Sequence, residues 1–158
     1  MVNIKIIAVG KIKESFHKEE INELSKRLSK YCKLQIIEVD EYKLKDESAK
    51  SIQLTLEKEG ESLIKHIKKD DYVFLLDLHG KEISSEKFSS QMDNLISQGK
   101  SITFIIGGSY GLSDVVRSNS NYLLKLSDMT FTHQMTRILI LEQIYRAFKI
   151  INKESYHK

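Results

Sequence analysis

Strand-like and helix-like runs alternate along the whole chain, and this alternation constrains the fold more than any other feature of the sequence. VNIKIIAV, KLQIIEV, DYVFLLDL, SITFII and NYLLKL read as strands. Between and after them, residues 14–31, 49–68, 85–98, 113–119 and 133–152 read as helices. Strands separated by helices imply an α/β fold with a mainly parallel sheet and helices on both faces. The runs VFLLDL and TFIIGG are nearly continuous in apolar residues, as strands covered on both sides must be. No internal repeat or low-complexity linker interrupts the pattern. The polar stretch DEYKLKDESAK, residues 40–50, is expected to be an exposed loop. A chain of 158 residues is expected to form a single domain over 1–158, large enough to bury about 70% of its unfolded surface.

Several classes of protein are disfavoured by what the chain lacks. Its longest apolar runs are four or five residues, far short of the roughly 20 that span a bilayer, so no membrane partner is expected. The first residues, MVNIKIIAVGK, are too strand-like for a secretory signal, which implies a cytoplasmic protein. The single cysteine, Cys32, has no partner for a disulfide or a thiolate metal site and reads as a small apolar residue near a helix end. The five histidines, at 17, 66, 79, 133 and 157, show no metal-ligand spacing, so no metal is expected.

Glycine must supply every unusual backbone angle, because the chain has no proline. Three of its seven glycines, Gly107, Gly108 and Gly111, cluster directly after the fourth strand. Ligands in open parallel sheets bind at the carboxyl ends of strands. Three such ends stand out: LLDLHGK, IIGGSYG and LKLSDMTFTHQ. The glycine cluster is not a phosphate loop, since no lysine follows Gly111, and its G-G-x-x-G spacing differs from a dinucleotide fingerprint. Asp128 does follow Gly108 by the 20 residues a ribose-binding acid would need, but such a fingerprint belongs after the first strand and this glycine turn follows the fourth. Ser109 is not in a hydrolase elbow.

The last helix carries a further signal. ILIL, Ile138 to Leu141, distributes four apolar residues at about 100° steps and so surrounds the helix. Burial on more than one side is implied, and a homodimer with Leu139, Leu141 and Ile144 near the contact is expected. From Met129 onward, five basic residues (Arg137, Arg146, Lys149, Lys153 and Lys158) face two acids (Glu142 and Glu154). Such a locally basic end is a candidate footprint for phosphate, or simply a solvated helix face.

FIIGGSYGL, LSDMTFTHQMTRILILEQIYRAFKIIN and the terminal SYHK, with IKIIAVGK, KEGE (Lys58 to Glu61) and LDLHGK upstream, resemble the SPOUT-class ribosomal large subunit methyltransferase H family along the whole chain. The resemblance implies an α/β sheet with a C-terminal trefoil knot, an exception to the rule against knotted connections. It also implies methylation of N3 of a pseudouridine in 23S rRNA on the assembled ribosome, with S-adenosylmethionine as methyl donor. By resemblance the donor-binding positions are Leu76, Gly108, Leu126, Ser127, Asp128, Met129, Thr130 and Phe131. Leu76, Leu126 and Met129 would offer apolar contact to an adenine, and the backbone of 126–131 would bond its edge.

The same resemblance brings Arg146, Tyr156 and His157 to the active site across the dimer interface. Arg146 is then expected to hold a phosphate, Tyr156 to stack on or bond the base, and His157 to take or relay the N3 proton. The competing reading of Arg146 is an i, i+4 pair with Glu142. His133, Gln134 and Arg137 open the long helix at an end that favours anions, unless Thr132 simply caps it. Thr132 and Ser155 stand where the family usually has proline. Two other classes compete: a ribosome-associated RNA-binding protein without catalysis, and a SPOUT methyltransferase acting on tRNA.

Overall fold

The computed structural model describes residues 1–156. Five strands, β1 (Val2–Val9), β2 (Cys32–Val39), β3 (Asp71–Lys81), β4 (Ser101–Ile106) and β5 (Tyr122–Leu124), alternate with α1 (Ser15–Leu28), α2 (Ala49–Ile64), α3 (Ser85–Ser97), α4 (Asp114–Ser118) and α5 (His133–Ile151). They form one sheet in the order β2-β1-β4-β3-β5. Every pairing is parallel, so the expected mainly parallel sheet is entirely so among the described residues.

Period-two alternation divides the strand side chains between two cores. On one face Ile4, Ile6, Ala8, Phe74, Ile102, Phe104 and Ile106 pack with Leu24 and Leu28 of α1, Phe88 and Met92 of α3, and Ile140, Leu141, Ile144 and Phe148 of α5. On the other, Ile7, Val9, Val73, Leu75 and Ile105 meet Leu63 of α2 and Val116 of α4. Helices therefore cover both faces, which is why the central strands read as unbroken apolar runs. Phe74 stacks on Phe104 at a centroid distance of 5.0 Å, and Phe88 meets both edge-on. Cys32 is buried at the start of β2, where loss of solvent pushes its thiol up to about 11.

Two strand ends differ from the sequence expectation, and both differences shape the carboxyl edge of the sheet. β3 runs on to Lys81, because the Lys81 carbonyl accepts the Lys125 N–H at 3.0 Å. β5 stops at Leu124, and the chain then leaves the sheet for a loop of residues 125–132. The two segments cross closely: a Cβ on Gly80 would lie 2.4 Å from the Leu123 carbonyl oxygen. Only glycine allows that approach.

Helix α5 corrects one expectation. Leu141 and Ile144 are 1% and 0% exposed within the single chain, so neither is available for a contact with a second copy; Leu139 is half-buried. The helix lies between α1, α3 and the sheet, and burial inside one chain accounts for its apolar circumference.

At the start of α5, Thr132 caps the helix by accepting the Met135 N–H at 3.1 Å. Its φ of −60° is the value a proline ring would impose. One turn later Arg137, 2% exposed, donates to Glu38 Oε2 at 2.7 Å and to the carbonyls of Val9 and Gly10 at 2.9 and 2.6 Å. These bonds pin α5 to the ends of β1 and β2. Replacing Arg137 with alanine leaves two buried carbonyls and Glu38 without their donor, so urea unfolding is expected to give a loss of about 3–5 kcal/mol. A loss below about 1 kcal/mol contradicts the clamp.

Candidate active site

The carboxyl ends of β3, β4 and β5 open into a cavity of about 1000 Å³, at the upper end of the range for small-molecule sites. Its walls come from three segments: Leu76 to His79 in the carboxyl-terminal half of β3, Gly107 to Leu112 after β4, and the run from Leu124, the last residue of β5, to Thr132. The first turn of α5 and His17 of α1 complete the rim. These are the three strand ends singled out in the sequence. Leu76, Gly108, Leu126, Ser127, Met129, Thr130 and Phe131 all line the cavity. Asp128 does not: its side chain is exposed and pairs with Lys125.

The glycine turn is built by backbone. The Gly111 N–H donates to the Gly108 carbonyl at 3.2 Å, and Gly111 has φ +94°, a conformation that favours glycine. A Cβ on Gly107 would lie 2.7 Å from the Gly111 oxygen. One on Gly108 would lie 3.1 Å from Val9 Cγ1 and 3.3 Å from Glu59 Oε1. The missing side chain at 108 therefore lets the turn sit against β1 and α2, which is the close approach that this glycine serves within the chain. Glu59 is itself buried, accepts the Tyr42 N–H at 3.1 Å, and has its carboxyl pushed up by burial.

The cavity also holds charge that sequence reasoning did not assign. Asp77, 7% exposed, accepts from Arg117 Nε at 2.8 Å and from the His79 N–H at 3.0 Å. Burial alone would raise its pKa, but these donors and the guanidinium charge outweigh burial and hold the carboxyl below its ordinary value. His17, His79 and His133 share the lining. His17 Nδ1 meets Gln134 Oε1 at 3.2 Å. The ring of His133 lies with Nε2 3.9 Å from Glu41 Oε1. Asp77 and His79 lie within LDLHGK, so their place was legible as a strand end. Nothing local pointed to His17 on α1 or Arg117 on α4, which reach the cavity only through folding.

Arg146 and Tyr156 lie elsewhere. Arg146 Nη2 donates to Glu142 Oε1 at 2.8 Å, Tyr156 Oη donates to the same oxygen at 3.0 Å, and the guanidinium stands 4.8 Å over the Tyr156 ring. Burial and the bond to Glu142 raise the phenol pKa. Neither residue lines the cavity; within one chain the i, i+4 pair holds. His157 falls outside the described residues. The basic end is largely neutralised: Arg137 is paired with Glu38, Arg146 with Glu142 and Lys149 with Glu154, so its charge is internal pairing more than a free phosphate footprint. Among the described residues no group of three His, Cys, Asp or Glu side chains is placed to hold a metal ion, and no helix is long and apolar enough to cross a membrane.

An all-parallel α/β sheet with a cavity at the carboxyl ends of three neighbouring strands defines a small-molecule-binding α/β class. Residues 2–157 match the family model described as "Predicted SPOUT methyltransferase". The chain belongs to the SPOUT methyltransferase family and is a methyltransferase. It is 55% identical over 159 residues to a "Ribosomal RNA large subunit methyltransferase H" of Clostridium botulinum strain 657, covering 99% of this chain and 100% of that protein. Proteins of the same name are 55% identical in Clostridium botulinum strain Hall and 51% identical in Clostridium acetobutylicum, with the same coverage. The family implies the C-terminal trefoil knot.

The Asp77 pair generates a pH dependence. Because the folded carboxyl titrates below its unfolded value of about 3.9, its contribution is complete above that pH and is lost as pH falls through the folded pKa. Asp77→Asn is expected to be less stable than the parent by about 2 kcal/mol at pH 7, with the gap in melting temperature closing below about pH 4. A gap that stays constant from pH 7 to pH 3 contradicts this.

Proposed function

We propose that the chain transfers a methyl group from S-adenosylmethionine to N3 of a pseudouridine in 23S rRNA on the assembled ribosome, working in the cytoplasm as a homodimer. The observation that carries this reading is the single cavity formed by seven of the eight expected donor-binding residues, in a chain half identical to proteins named for methylating large-subunit ribosomal RNA.

The cavity suits such a donor. Its size accommodates a nucleoside with an amino-acid arm, and Leu76, Leu126, Met129 and Phe131 give apolar surface for an adenine, with loop amides beside them. When bound, the donor supplies an electrophilic methyl on a sulfonium. The chain's own task is to align the acceptor with it, exclude water and remove one proton. Leu78, Tyr110, Met129 and Phe131 are exposed around the mouth. Exposed apolar side chains gathered at one site suit a macromolecular partner, and aromatic rings suit an unstacked base.

Distance supports the homodimer. Arg146 lies thirteen positions beyond His133 on α5, about 20 Å along the helix axis, too far for Arg146 and Tyr156 to serve the cavity of their own chain. A second copy would bring its Arg146, Tyr156 and His157 to the mouth, where Arg146 holds RNA phosphate and Tyr156 stacks on the base. Light scattering should give a dimer at micromolar concentration, and mixing Gly108→Val with Arg146→Ala protein should restore part of the activity each lacks. A monomer, or no restoration, removes the shared site.

Gly108→Val puts a branched Cβ 3.1 Å from Val9 Cγ1 and 3.3 Å from Glu59 Oε1, at a position that lines the cavity. It should weaken S-adenosylmethionine binding at least tenfold in calorimetry; unchanged affinity counts against the donor assignment. Radiolabelled methyl transfer should favour assembled ribosomes over free 23S rRNA and tRNA, and transfer to tRNA alone overturns the substrate.

A further inference from the structure

We propose that His133 is the base that takes the N3 proton from the acceptor. This rests on the methyl-transfer reading above and adds the group that completes it. His157, which the resemblance gives this proton, lies outside the described residues, and four candidate bases line the cavity itself: Asp77, His17, His79 and His133. Asp77 is committed to Arg117 and the His79 N–H, and a carboxylate so stabilised is a weak base. His17 is bonded through Nδ1 to Gln134. His79 is exposed and forms no ion pair with a carboxylate among the described residues.

His133 differs from all three. It is half-buried in the first turn of α5, makes no hydrogen bond through its ring among the described residues, and has the Glu41 carboxylate 3.9 Å from Nε2. The groups facing it come from every neighbouring element: Glu41 from the β2–α2 loop, Lys13 from the β1–α1 loop, Arg137 from α5 itself, and the His17–Gln134 pair from α1 and α5. Burial lowers its pKa most, Glu41 opposes that, and Arg137 and Lys13 lower it further. The imidazole is therefore neutral at pH 7 and able to accept. Glu41 favours the tautomer with hydrogen on Nε2, leaving the Nδ1 lone pair free, and then stabilises the imidazolium. A base oriented by a carboxylate is the general logic of such sites.

In the step, the N3–H bond breaks and its proton passes to His133. The N3 electron pair forms a bond to the methyl carbon as the carbon–sulfur bond breaks, and sulfur keeps that pair to become a neutral thioether. The imidazolium returns its proton to water, so one proton is released per methyl transferred.

The test is single-turnover methylation of ribosomes against pH, with calorimetry for S-adenosylmethionine and NMR titration of the His133 ring. His133→Gln should bind the donor within threefold of the parent, methylate about 100-fold more slowly, and lose the acidic limb of the profile. Glu41→Gln should move both that limb and the His133 titration to lower pH, since it removes the one charge that raises the pKa. A His133→Gln rate within threefold of the parent, or an acidic limb that survives it, overturns the proposal. So does a limb that does not move in Glu41→Gln, whether or not His133→Gln folds. If the parent itself binds no S-adenosylmethionine and methylates no ribosome, the methyl-transfer reading fails instead.

Discussion

The cavity depends on one buried cation. Arg137 carries a full charge into the interior, which is costly unless every side of it is answered. Glu38 answers the charge through Nη1, and the carbonyls of Val9 and Gly10, left over where β1 ends, both accept from Nη2, while the buried Nε has no hydrogen-bond partner among the described residues. Glu38 also accepts the Ile12 N–H at 3.0 Å, so the same carboxylate holds the loop that follows β1. A single network thus ties the first strand, the second strand, the first loop and the last helix at the carboxyl edge of the sheet. Core packing fixes the body of α5, and this network adds a polar anchor one turn from the end of the loop of residues 125–132. Thr132 caps α5 five residues before Arg137, and the one turn between them carries His133, Gln134 and Thr136 to the rim of the cavity.

Around that anchor the chain is crowded wherever backbone meets backbone. Gly80 lies over Leu123 and Gly107 against Gly111, each at a separation that excludes a side chain. Gly108 is less confined and rests on Val9 and Glu59. Close crossings of this kind bring distant loops to the edge of one cavity, because each removes a layer of side chains that would hold the segments apart. Asp77 and Arg117 then join β3 to α4 across its floor. The pair is asymmetric: the carboxylate is buried and the guanidinium one third exposed, so one partner retains water while the other depends on its hydrogen bonds.

The sequence and the structure agree most closely where local pattern is strong. β1 and β4 fall at the residues where alternation and apolar runs placed them, and both faces of the sheet are covered as those runs required. Agreement weakens at β3 and β5, whose ends are set by the crossing at Lys81 and Lys125. The apolar circumference of α5 was read correctly as burial on several sides. Its cause was placed in a second copy, whereas α1, α3 and the sheet supply it. No periodicity separates a helix enclosed by its own chain from one enclosed by another, since both bury the same side chains.

By itself, the sequence determined the α/β alternation, the position of the glycine turn, and the three strand ends that line the cavity, because these follow from period, propensity and chain order. Resemblance added the family, and with it the residues 126–131 as a unit. Only the tertiary structure decided which charges are spent internally. Arg137 and Arg146 look alike in the sequence as cations on one helix, yet the first is sealed against β1 and the second pairs with Glu142 beside Tyr156. The arrival of His17, Asp77 and Arg117 at one cavity was likewise decided there. The pair of Arg146 with Glu142 is local and could be read at i, i+4, but the partners of Arg117 and Arg137 come from 40 to 128 residues away, and no local window of sequence contains them.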